Sequence, residues 1–241
     1  STELLGLLVN ALSARDIKIF MRNSAEQAQL DPFGISGSVR QAPLDYQMIV
    51  SSTVGGGKSD AAITDEVARE TRVNEDGTID AHLTLTRTHR GEKGNPFTGT
   101  RNTSYLRFYF PRGSTLISAS GFRPPSVARF KEPTRELHDD SFLRMIEGVP
   151  TLDPQTGMVV TSEFEKTVFA HWLELDPDEH ATIELTVRLP FTLRDLEQGA
   201  YSLLIQRQSG SRIGRMTVVT PARLQTIESF EHDLFFTEVF R

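Results

Sequence analysis

The sequence predicts a mainly β chain: an antiparallel β-sandwich, single or double, with a small α+β segment at its N-terminus. Three observations carry that expectation. Short apolar stretches follow one another along most of the chain with Gly, Pro, Asn and Asp clusters between them, the spacing of sandwich strands. The stretch from Thr78 to His89 alternates residue by residue. Ile79, Ala81, Leu83 and Leu85 face one way, and Asp80, His82, Thr84 and Thr86 the other. The aromatic supply is 15 Phe against 4 Tyr and 1 Trp, and Phe on strands is core material.

Residues 1–14 read as a helix. Ser1 or Thr2 can cap it, and Leu4, Leu5, Leu8, Val9 and Leu12 recur at helical spacing. Ile17 to Met21 reads as a short strand. Ser24 to Leu30 reads as a second helix, stopped by Asp31-Pro32 and Gly34. Ile35 to Val39 and Tyr46 to Val54 read as strands. Ala61 to Val73 and Thr78 to His89 flank Asp76-Gly77, a hairpin signal because both residues tolerate positive φ. After a Gly-rich loop, Tyr105 to Phe110 places Leu106, Phe108 and Phe110 on one face, and Thr115 to Ser120 returns as a strand.

Residues 121–150 hold Pro124, Pro125 and Pro133 and a short helix at Asp139 to Glu147. They read as a crossover or a boundary between domains. The last strands are expected at Met158 to Thr161, Thr167 to Leu175, Ala181 to Leu189, Tyr201 to Gln206, Met216 to Thr220 and Leu234 to Phe240. The resulting division is an α+β segment at 1–55, closing an upstream domain, then sandwich parts at 56–150 and 151–241.

The composition excludes several classes. With 38% hydrophobic and 24% charged residues the chain is not disordered. A formal charge of -6 with no long basic run argues against nucleic acid as a partner. Arg87 to Lys93 reads as a solvated hairpin end. The absence of cysteine excludes disulfides, thiolate chemistry and Cys-based zinc sites. No apolar run approaches the roughly 20 residues of a membrane span. The chain opens on Ser1 without Met, which reads as a processed or truncated end with any targeting signal upstream.

Motifs for chemistry are sparse. Val54-Gly55-Gly56-Gly57-Lys58-Ser59 ends like a phosphate loop, but Ser52 stands where the first Gly belongs, and Asp60 to Thr64 reads as extended where a helix is needed. Gly34 to Ser38 has Ser where a nucleophile elbow ends in Gly. Asn102-Thr103-Ser104 is a bare glycosylation triplet. The six histidines show no ligand spacing, and His171 reads as a satisfied structural residue. His138-Asp139-Asp140 is the one His–carboxylate cluster, explained more simply by Asp139 capping a helix. Glu163 and Glu165 are further acids at strand ends. The acidic turn Asp176, Asp178 and Glu179 is the candidate for a hard cation. Tyr105, Tyr109 and Trp172 are the candidates for a surface contact. No cofactor is expected.

Several phrases resemble one bacterial family. These are Arg15-Asp16-Ile17-Lys18-Ile19-Phe20 with Gln27 and Gln29, Gly34-x-x-Gly37, Asp45-Tyr46-Gln47-Met48-Ile49-Val50, Val54 to Asp60, and Tyr105 to Ser114. In order and spacing they are similar to the later part of proteins containing domain of unknown function 4012, and Asp233-Leu234-Phe235-Phe236 is similar to their close. The family's Asn-x-x-Glu-x-Arg signature is absent here. The resemblance therefore implies a C-terminal part of a membrane-anchored protein with its bulk outside the cytoplasm. It carries no known reaction. The expectation is a non-catalytic cell-envelope module contacting envelope proteins or glycans. The alternative is a surface domain that binds or processes glycans through loop carboxylates.

Overall fold

The structure is a computed structural model. It describes residues 2–55, 57–130, 134, 138 and 140–240. Two helices open the chain, α1 (Thr2–Ser13) and α2 (Ser24–Leu30). The strands that follow are β1 (Asp45–Val54), β2 (Ile63–Val73), β3 (Thr78–His89), β4 (Asn102–Pro111) and β5 (Thr115–Ser120). Helix α3 (Ser141–Glu147) precedes the two-residue β6 (Thr151–Leu152), β7 (Val159–Glu163), β8 (Lys166–Leu175) and β9 (His180–Thr192). The chain closes with β10 (Ala200–Gln206), β11 (Ile213–Thr220), β12 (Arg223–Glu228) and β13 (Leu234–Val239). Strand makes up 47% of the chain and helix 18%, so the fold is mainly β as expected.

Two sheets form. One has seven strands in the order β13-β10-β1-β4-β8-β7-β6, the other six in the order β12-β11-β2-β3-β9-β5. Both are mixed, which corrects the purely antiparallel expectation. The β1–β10 and β2–β11 pairs are parallel. A parallel neighbour requires a long crossover, because the chain must return to the same end of the sheet. Here each crossover spans most of the sequence. Each sheet also draws strands from both sides of residue 150. Residues 121–150 carry the chain from edge strand β5 of one sheet to edge strand β6 of the other.

The main core lies between the sheets. Ile79, Ala81, Leu83 and Leu85 of β3 meet Leu106, Phe108 and Phe110 of β4, with Phe169 and Leu173 of β8 and Ile183, Leu185 and Val187 of β9. Burying one such side chain contributes about 1.5–3 kcal/mol. A smaller cluster of Tyr46, Met48, Tyr109, Val168 and Leu204 sits on the other face of the seven-stranded sheet. Val39 and Ala42 from the segment before β1 pack on it. Helix α1 is different: its Leu4, Leu5, Leu7, Leu8 and Val9 are all exposed, so the apolar stripe reaches neither core.

Local expectations fail in several places. Residues 17–21 and 35–39 form no strand; a single backbone bond, Ile19 N–H to the Ile35 carbonyl, joins them. Residues 59–62 form a 3-10 turn rather than extended chain. The cap of α3 is Asp140, whose Oδ1 accepts from the Phe142 and Leu143 amides; Asp139, named from the sequence, lies outside the described residues. Strand β12 was not expected at all.

Candidate functional site

Charged side chains penetrate the core at two points, and both join the sheets. At one, Arg69 of β2 pairs with Asp45 of β1, and Thr71 and Tyr201 bond into the same group. Tyr201 donates to Asp45 and stacks on Phe240 at 4.5 Å. Burial holds the Tyr201 phenol well above its ordinary range, against the pull of Arg69, so it acts as a neutral donor. At the other, Arg87 of β3 grips both oxygens of Asp65 at 2.8 and 2.7 Å and reaches Ser51 of β1 at 2.9 Å. Arg87 and His89 are therefore interior residues, which corrects the reading of 87–93 as a solvated end. His89 Nε2 donates to the Thr100 carbonyl and Nδ1 accepts from the Gly91 amide, so the ring pins the loop. A small cleft of about 90 Å³ opens beside Arg87, lined by the turn 208–211. The three guanidinium nitrogens of Arg87 are already engaged, leaving it a structural role there.

The outer face of the seven-stranded sheet offers more. Its β4 residues Tyr105, Arg107 and Tyr109 stand opposite Trp172, Ala170 and Val168 of β8. The structure separates the three aromatic candidates. Tyr109 is buried, and its hydroxyl donates to Glu163 at 2.5 Å, so it is no surface contact. Tyr105 and Trp172 are neighbours, with ring centroids 4.8 Å apart. Phe130, half exposed, meets the Trp172 ring edge-on at 5.4 Å. Arg107 reaches Glu163 at 3.3 Å, while its Nε is buried without a hydrogen-bond partner. Helix α3 lies against β7, and Glu147 at its end acts electrostatically on both tyrosines. Phe142, Leu143 and Met145 of that helix are exposed. Phe130 and α3 come from the irregular stretch, where no periodicity marks them; the Tyr105–Trp172 pairing is a register fact that becomes visible only once the strands are aligned.

The remaining acids are engaged singly. Arg101 takes both oxygens of Asp176 at 2.7 Å and holds its carboxyl below the usual range. Glu179 bonds the Asp176 amide and faces Arg123, and Asp178 takes a positive φ of 70° in the same turn. No group of three metal-ligating side chains occurs among the described residues. Glu163 is buried against Tyr109, Thr161 and Arg107, whereas Glu165 is exposed and paired with Arg112. His138 is exposed. His171 bonds a neighbouring carbonyl and lies 4.7 Å from the Phe122 ring, a packed structural histidine. The Asn102 amide is buried on Ser59, which closes it as a glycan acceptor. In the Gly-rich phrase, Gly56 lies outside the described residues; Lys58 donates its amide to the Phe97 carbonyl, and only a 3-10 turn follows.

No protein-family model matches the chain, and no curated protein matches it. Among solved structures, one from Legionella pneumophila, described as a "putative nutrient binding protein", is similar at 11% identity. The match covers 81% of this chain and 71% of that one, with a TM-score of 0.36.

Proposed function

We propose that the chain is a non-catalytic interaction module of a bacterial cell-envelope protein, facing outside the cytoplasm. Its contact surface is the outer face of the seven-stranded sheet. The observation that carries this reading is the aromatic group there: exposed Phe130 meets Trp172 edge-on, Trp172 and Tyr105 pair half-buried beside Arg107, and α3, with Phe142, Leu143 and Met145 exposed, lies against β7 of the same sheet. An apolar patch rimmed by charge is the composition of a contact surface. The buried pair Arg69–Asp45 and the Arg87 group, in contrast, are spent on joining the sheets. The envelope location is supported by the family resemblance. No described helix is long and apolar enough to cross a membrane, so an anchor would lie outside the described residues.

The chain has no cysteine, so one introduced residue is a unique handle. Lys93→Cys, in an exposed loop, is expected to react with a membrane-impermeant maleimide on intact cells. Labelling only after lysis would refute the location. A photo-crosslinker at Phe130 is expected to trap an envelope component, and one at exposed Thr226 on β12 is not. Equal yields from both positions would remove the surface assignment.

The Tyr105–Trp172 pair also favours a second reading, a glycan-binding surface domain, because sugar rings stack on aromatic faces. A soluble cell-wall glycan that raises the melting temperature of the chain by mass action, but not that of Trp172→Ala, would make this the better reading. Release of glycan fragments would overturn the non-catalytic assignment.

A further inference from the structure

Lys166 opens β8 beside the turn at Phe164 and Glu165 and is only 3% exposed. Its ammonium donates to Gln41 Oε1 at 2.9 Å and lies 4.7 Å from the centre of the Tyr46 ring. It has no other bond, and no described carboxylate is within ion-pair distance of it. The other buried cations, Arg15, Arg69 and Arg87, each hold an aspartate. A desolvated ammonium with no ion-paired carboxylate is costly, and burial pulls the Lys166 pKa down against the weaker opposing pull of Glu165. Two of its three donors have no protein acceptor.

Lys166 lines an open pocket of about 230 Å³. Its walls include Pro43, Leu44, Pro111 and Pro190, with Tyr46 behind them and Arg112 among the lining residues. Arg112 is tied to Glu165, also in the pocket, so Lys166 is the pocket's cation without an ion pair, Glu165 acting on it only from beyond contact.

We propose that this pocket is a binding site for a small organic carboxylate, with Lys166 as its counter-ion and the proline walls taking the apolar part. The ligand's oxygens complete the donors that Gln41 leaves free. The site is separate from the Tyr105–Trp172 surface and stands or falls independently of it.

The test is calorimetric titration of the full chain with acetate, benzoate, neutral benzamide and inorganic phosphate. Benzoate is expected to bind most tightly and benzamide not to bind. Lys166→Met is expected to weaken benzoate by about tenfold or more, the loss of a charge-assisted bond. Lys166→Arg is expected to retain part of the affinity, and Trp172→Ala all of it. Should Lys166→Met fail to fold, amide and ring shifts in the unaltered chain serve instead; benzoate is expected to move Tyr46, Gln41 and Lys166 together. Absence of binding by either carboxylate, unchanged affinity in Lys166→Met, or phosphate binding as tightly as benzoate would each overturn the assignment.

Discussion

Arg69 and Arg87 do the same work at two levels of the sandwich, each tying a strand of the six-stranded sheet to β1 of the other. Removing one partner of a buried ion pair leaves the other charge stranded, which costs about 3–5 kcal/mol. Arg69→Met is therefore expected to lower the free energy of unfolding in urea by that order. Asp45→Asn in the same chain should recover part of the loss. The sequence held a signal for both arginines. Arg87 continues the inward parity of Leu83 and Leu85, and Arg69 that of Ile63 and Val67. Charge was read as exposure, and only the opposing sheet reveals what a buried guanidinium meets. Proton linkage enters at two groups. Asp176 is depressed by Arg101, so its contribution is present above the unfolded value of 3.8 and disappears as the pH falls through the lower folded one. Acid titration monitored by circular dichroism is expected to show this loss, small because the pair is exposed, and Arg101→Ala should remove it. Lys166 has the same sign in a more alkaline range: its folded pKa is lowered too, so stability rises with pH between the folded and unfolded values.

At the scale of elements, the β2–β3 hairpin was the most legible part of the sequence. Its second arm runs from Thr78 to His89 as the alternation indicated. Asp76 Oδ1 accepts from the Thr78 amide and hydroxyl, and Gly77 takes φ +83°. Gly77→Ala is expected to cost about 1–2 kcal/mol in unfolding free energy, the penalty of a left-handed backbone with a Cβ. Gly121 after β5 is a harsher case. A Cβ there would stand 1.9 Å from the Thr182 carbonyl oxygen, so Gly121→Ala is expected to cost more and to loosen the β5–β9 edge in hydrogen exchange. Elements without alternation were not legible. Strand β12 is an edge strand exposed along most of its length, so its residues carry no inside-outside contrast. Residues 17–21 and 35–39 have strand-like composition but gain no ladder partner, and composition alone does not supply one.

For the whole molecule, sheet-rich character was readable because strand composition and turn residues are local. The mixed topology was not, because the two parallel pairings join residues about 150 positions apart and leave no local trace. The candidate surface shares that fate: Tyr105 and Trp172 were singled out by type, but their adjacency depends on the β4–β8 register. A chain ending at Gly199 would lack β10 to β13 and present β1 and β2 as bare edges of shortened sheets. It is expected to bind a hydrophobic dye and to precipitate, whereas the full chain unfolds in one transition. The same arrangement has a consequence in time. Strands β1 and β2 are made about 150 residues before β10 and β11 and must wait for them. Throughout that interval each offers an unpaired ladder to any other nascent copy. The newborn chain is thus most vulnerable before β10 and β11 are made, and a holdase that shields it until those strands arrive would govern how much of it survives.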